Sequence, residues 1–119
     1  MNILNLTQHD ATSDQVAGGV VEPTDKVRVR ELLTFEELPD REQVRARADA
    51  LTAMAAQGGY EAVMIGGAPL FMAPLELALK EMGIKPLYSF TRRESAERSD
   101  GQGGVTKTQV FRHVGFYEA

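Results

Sequence analysis

Residues 61–83 read EAVMIGGAPLFMAPLELALKEMG, and the order of residue types in that stretch decides the fold. The apolar run AVMI (62–65) is short and uninterrupted, as suits a strand buried on both faces. Two glycines follow, and Ala68-Pro69 opens a helix, where the missing proline N–H does no harm. Phe71, Leu75, Ala78, Leu79 and Met82 recur at helical spacing and predict one buried face, which Gly83 ends. Strand, glycine turn and amphipathic helix together make half of a parallel crossover.

The same grammar extends upstream. Ile3 to Thr7 (ILNLT) is an apolar segment bounded by polar residues and predicts a first strand. Thr12 and Gln15 have the capping-box spacing and open a short helix that Gly18-Gly19 stops, with VVEPTD as a connection. Residues 26–33 fit either a strand (Val27, Val29) or a helical face (Val29, Leu32, Leu33), and the short helix is preferred. Thr34 to Glu37 repeats the capping-box pattern, and Asp40 to Gln43 after Pro39 repeats it more strongly. From 41 to 57, Val44, Ala48, Leu51 and Ala55 form one apolar stripe of a helix ended by Gly58-Gly59.

Downstream, LYSFT (87–91) predicts another strand, followed by the excursion RRESAER, the glycine-rich turn SDGQGG and a long last strand. Strict alternation would put Val105, Lys107, Gln109, Phe111, His113, Gly115 and Tyr117 on one face, with Thr106, Thr108, Val110, Arg112, Val114 and Phe116 on the other. Residues 87–95 and 105–117 are expected to pair as antiparallel neighbours. The expectation is a single α/β domain over 1–119: small, Rossmann-like and mostly parallel, with an antiparallel C-terminal strand.

The totals narrow the function. The chain has 119 residues, a net charge of −4 and no cysteine, so disulfides and thiolate chemistry are excluded. Only two histidines are present, His9 and His113, without metal-ligand spacing, so neither a metal nor a cofactor is expected. The acidic balance argues against binding duplex nucleic acid, which depends on basic residues neutralising phosphates. The balance is uneven: residues 1–91 hold 8 basic and 13 acidic groups (−5), residues 92–119 hold 5 and 4 (+1). A small anionic ligand held locally is compatible with that. No apolar run approaches a membrane span and the chain opens without a basic leader, so a cytoplasmic protein is expected.

In an open parallel sheet, ligands bind beyond the carboxyl ends of the strands, near a switch in strand order. Three segments qualify: Thr7-Gln8-His9-Asp10, Gly66-Gly67-Ala68-Pro69 and Thr91-Arg92-Arg93-Glu94-Ser95. Gly66 and Gly67 would offer backbone N–H groups to an anion at a helix start, although a tight turn also explains such a pair. Arg92 or Arg93 could fork onto a phosphate, or pair with Glu94 or Glu97. Histidine suits proton transfer near neutrality, and His9 follows a strand end; capping a neighbouring helix is its plainer role. His113, inside a terminal strand, reads as structural or interfacial.

Three stretches carry a resemblance: QHDATSDQ after the first strand, VMIGGAPLFMAPLELALKEMGIKPLYSF in the middle, and TRRES…VTKTQVFRHVGFYE at the end. Together they resemble the small Csx-type CRISPR-associated proteins with a Rossmann-like fold, some of which are ring nucleases for cyclic oligoadenylate in antiviral defence. The resemblance implies metal-independent cleavage, in which a ribose 2′-hydroxyl attacks its adjacent phosphate. His9 would then act as acid or base. Arg92 or Arg93, with the backbone at Gly66-Gly67, would stabilise the phosphorane. Thr7, Gln8, Ala68, Thr91, Glu94 and Ser95 would complete the binding surface. A homodimer is expected, since it would present paired sites to a cyclic oligonucleotide. The rivals are a non-catalytic nucleotide-sequestering module and a protein-interaction domain using VFRHVGF.

Overall fold

A computed structural model describes residues 1–99, 101 and 103–119. Its order is β1 (Ile3–Leu6), α1 (Ser13–Ala17), β2 (Val20–Val21), α2 (Lys26–Leu33), α3 (Arg41–Gln57), β3 (Ala62–Ile65), α4 (Pro69–Glu81), β4 (Lys85–Ser99) and β5 (Val105–Glu118). The five strands form one sheet in the order β2-β1-β3-β4-β5, parallel except for the antiparallel pair β4–β5. This is the small Rossmann-like α/β fold expected from the alternation of strands and helices. The chain leaves β1 in one direction toward β2 and later continues on its other side with β3. That reversal opens a crevice between the carboxyl ends of β1 and β3.

Alternation along the strands sorts the core into two layers. Leu4, Leu6, Val63 and Ile65 pack with Val29, Leu33, Leu51, Phe71, Leu75 and Leu79 beneath α2, α3 and α4. Ile3, Val20, Ala62, Met64 and Leu87 lie on the opposite face with Ala11 and Phe116. Two capping boxes form where the spacing placed them, at Thr12/Gln15 and Asp40/Gln43.

Several expectations are corrected. VVEPTD contains the two-residue strand β2, held by pairing with β1 rather than by any pattern of its own. No helix starts at Thr34; it is the C-cap of α2, and its hydroxyl donates to the Arg30 carbonyl at 2.7 Å. Met82 is exposed, because α4 ends one residue earlier.

The largest correction concerns β4. It pairs with β3 only over Lys85–Leu87 but runs on to Ser99, paired throughout with β5. Thr91 through Ser95 are therefore strand residues, and no loop follows Thr91. The result is a two-stranded ribbon of about 40 Å, at ~3.4 Å per residue, reaching beyond the sheet. The radius of gyration is 17.2 Å, against roughly 13.5 Å for a compact domain of this length. The glycine-rich turn after β4 lies partly outside the described residues, as do the side chains at 96, 98, 99, 106 and 107.

A register shift between Phe90 and Thr91 overturns the simple alternation in β5. Phe90 pairs with Gly115 and Thr91 with His113, so Val114 is the extra residue of a bulge. Past it the faces exchange. Phe111, His113 and Phe116 share one face, and the rings of His113 and Phe116 lie 4.6 Å apart. Tyr117, paired with Tyr88, moves to the other face.

The Asp40 side chain accepts from Gln43 N at 2.8 Å and opens the longest helix. Asp40→Ala should lower stability by about 1 kcal/mol. Urea unfolding should show the loss as an earlier midpoint with an unchanged slope.

Candidate functional site

The loop after β1 is built around one buried polar side chain. Asn5 is fully buried within ILNL, and its hydrogen-bonding capacity is used. Its Oδ1 accepts from Thr7 N at 3.0 Å and from the Thr7 hydroxyl at 2.6 Å. Its Nδ2 donates to the His9 carbonyl at 2.8 Å and to Glu22 at 2.9 Å. Glu22 also accepts from Ala11 N at 2.7 Å, and Lys26 lies 3.2 Å from its carboxylate.

Lys26 Nζ then donates to the carbonyls of Thr7 and His9, each at 2.9 Å, and Arg30 Nε donates to that of Gln8 at 3.1 Å. Three successive carbonyls thus point toward α2. In a trans peptide the next N–H points the opposite way, so the N–H groups of Gln8, His9 and Asp10 are turned from α2. None of the three meets a protein acceptor among the described residues. Successive free N–H groups are a receptor for an anion.

Gly66 and Gly67 face this loop from the end of β3. Gly67 has φ +152°, which L side chains rarely adopt, and a Cβ there would meet Met72 at 3.5 Å. A Cβ on Gly66 would make an ordinary 3.6 Å contact with Thr7, so Gly66 keeps that approach open rather than relieving strain. Ala68 caps α4 without any side-chain hydrogen bond; Pro69 has no N–H and Phe71 N donates to the Ala68 carbonyl at 2.9 Å, so the N–H groups of Ala68 and Leu70 are the first-turn donors without a protein acceptor among the described residues. The loop, the glycines and the start of β4 enclose a cleft of about 530 Å³, lined by Thr7, Gln8, His9, Gly66, Gly67 and Ser89 among others.

Sequence reasoning brought two of its three segments to this place. Thr7, Gln8, His9, Gly66 and Gly67 converge here, with Ala68 just beyond at the start of α4. Thr91, Arg92, Arg93, Glu94 and Ser95 do not line the cleft; they lie out along the ribbon. Arg93 stacks over the Phe111 ring at 5.4 Å, and Glu94 pairs with Arg112 at 3.4 Å, not with Arg92 or Arg93. In their stead β4 contributes Tyr88 and Ser89. Gln15 donates to Ser89 Oγ at 3.1 Å, and that oxygen lies 2.6 Å from His113 Nδ1. His113 is therefore tied to the cleft wall through a hydroxyl, although it is remote from it in sequence.

Two larger grooves lie elsewhere, of about 680 and 600 Å³. The first contains Arg47, whose guanidinium is already committed to the Thr34 carbonyl and the Phe35 ring. The second is mainly apolar and presents Leu38, Leu70 and Leu77. The first groove also holds backbone N–H groups at Phe35 to Leu38 without a protein acceptor among the described residues, but the carboxylates of Glu31, Glu36 and Glu37 line it and disfavour an anion. No three His, Asp or Glu side chains among the described residues are placed to hold a metal ion. No described helix is long and apolar enough to cross a membrane.

Over residues 1–117 the chain matches the family model described as "Uncharacterized protein MJ1673 family". It belongs to that family. No curated protein and no solved structure matches it.

The electrostatics of this MJ1673-family cleft follow from its clamp. Burial pushes the Glu22 carboxyl up, but donors from Ala11, Asn5 and Lys26 outweigh it and hold the group below the ordinary carboxylate value. On the other wall, burial and the Glu76 carboxylate, 2.5 Å from its oxygen, keep the Tyr88 phenol protonated well above its usual range. A lowered folded pKa makes the Glu22 contribution complete above the ordinary value of 4.5 and lost as pH falls through the lower folded value. Glu22→Gln should therefore flatten the acid limb of a plot of melting temperature against pH. Asn5→Ala strands Thr7 N–H and should cost about 2–3 kcal/mol at neutral pH, read by urea unfolding.

Proposed function

We propose that the cleft binds a phosphodiester of a cyclic oligoadenylate and that the protein is a CRISPR-associated ring nuclease. The observation that carries this reading is the row of free N–H groups at Gln8, His9 and Asp10 in a cleft shared with Gly66 and Gly67, which lead into the start of α4. Both elements favour negative charge. The motif resemblance supplies the identity of the anion.

The reaction consistent with the geometry is internal transfer. The ribose 2′-oxygen attacks the adjacent phosphorus, the bond to the 5′-oxygen breaks, and a 2′,3′-cyclic phosphate and a 5′-hydroxyl result. The backbone donors stabilise the charge that grows on the non-bridging oxygens. His9, exposed at the rim, takes the 2′ proton or returns one to the 5′-oxygen. Gly66 gives the phosphate room to approach the backbone. The reading entails a cytoplasmic homodimer acting on a cyclic oligonucleotide, with neither duplex nucleic acid nor a cofactor involved.

Incubation with cyclic adenylates of three to six units, followed by mass spectrometry, tests it. Linear products ending in a 2′,3′-cyclic phosphate are expected. Rings retained intact would make the protein a sequestering module, and rings ignored would leave a protein-interaction role. His9→Ala should lower kcat by at least about 10²-fold with little change in KM. Gly66→Ala should fold normally yet weaken binding of the ring.

A further inference from the structure

The cleft lacks something its proposed ligand requires. No Lys or Arg side chain lines it among the described residues, and its one charged lining residue, Asp10, is acidic. A phosphodiester bound there would meet backbone dipoles but no full positive charge.

The ribbon has the opposite character. Arg92 and Arg112 are directly paired across it, a like-charge pairing that is unfavourable by itself. Arg112 reaches Glu94, whereas Arg92 has no acidic partner among the described residues. Around them Phe90 is 60% and Phe111 68% exposed, with Val114 and Tyr117 also open. A two-stranded ribbon is marginal in water unless something packs on it. Residues 92–119 carry a net +1 and residues 1–91 a net −5, so ribbon and body attract when they come from different copies.

We propose that the ribbon is an exchanged arm: in a two-fold dimer each copy lays it across its partner and brings Arg92 and Arg112 to the partner's cleft. The proposal rests on the phosphodiester reading of the cleft and adds the cation that the site lacks. Exposed aromatic side chains become the contact between copies, and the arginine pair is relieved by sharing one phosphate. The two-fold operation makes the exchange reciprocal, so both clefts are completed together.

Two measurements decide it, and the first does not depend on activity. The chain has no cysteine, so Ser13→Cys, at the foot of α1 beside the cleft, and Thr91→Cys, next to Arg92, each introduce a unique thiol. Mixed and treated with a short bismaleimide, the two variants should give a covalent dimer whose linked peptides join position 13 to position 91. Absence of that link, or a strictly monomeric species by light scattering at high micromolar concentration, overturns the exchanged arm even if the rings are cleaved. The second measurement mixes His9→Ala with the double variant Arg92→Gln/Arg112→Gln, each inactive alone. The equimolar mixture, after subunits exchange at random, should recover about one quarter of the wild-type rate, because half of the dimers are hybrids and one of the two sites in each is whole. No recovery alongside an active wild type places the arginines in cis. If the wild type cleaves no ring, the nuclease reading fails and the cross-link still judges the arm.

Discussion

Asn5 is the constraint on which the site depends. A polar side chain in the middle of an apolar parallel strand is costly unless every donor and acceptor is met. Here the meeting partners are the loop that follows and Glu22 from the turn after β2. The requirement to satisfy one buried amide therefore fixes the path of residues 7–11. Lys26 and Arg30 complete the effect by drawing three carbonyls to one side, and peptide planarity turns the corresponding N–H groups to the other. The receptor character of the loop is a consequence of how it is tethered, not of any charged residue within it.

The second constraint is the order of the strands. With β2 and β3 on opposite sides of β1, α1, which leads from β1 to β2, and α2 and α3, which lead from β2 to β3, lie on opposite faces, and the gap between β1 and β3 stays open at its carboxyl end. The ribbon grows from the same end, because β4 begins beside β3 and outlasts it. Cleft and arm thus share a border at Tyr88 and Ser89. The Gln15–Ser89–His113 chain of contacts joins α1, β4 and β5 at that border, so the base of the arm is fixed relative to the cleft.

Much of this was legible in the sequence. The helix at 41–57 follows from a capping box and that at 69–81 from a proline start, each with 3.6-residue spacing, signals that are local; 26–33 fits a strand as well as a helix, and the structure settles it with the Asp25 cap. The crevice follows from strand–helix alternation. What was not legible depends on partners distant in the chain. Val20–Val21 is too short for any period and exists because β1 is beside it. RRESAER offers no apolar face, its described side chains being exposed or half-buried, and so it reads as a loop. The bulge at Val114 changes the face of every residue before it, and no side-chain pattern announces it. Asn5 did leave a signal: an amide inside ILNL has no other reason to be there, and only the identity of its partners, 17 positions away at Glu22, was hidden.

The claim that the tethered loop is a receptor for phosphate is most directly tested by amide NMR. Backbone N–H resonances would be followed while cyclic tetra-adenylate is added, with sodium chloride at equal ionic strength as reference. The account predicts the largest downfield proton shifts at Gln8, His9, Asp10 and Gly67, saturating together at one ligand concentration. Shifts concentrated instead at Phe35 and Arg47 or at Leu70 and Leu77, with the loop unmoved, would contradict it.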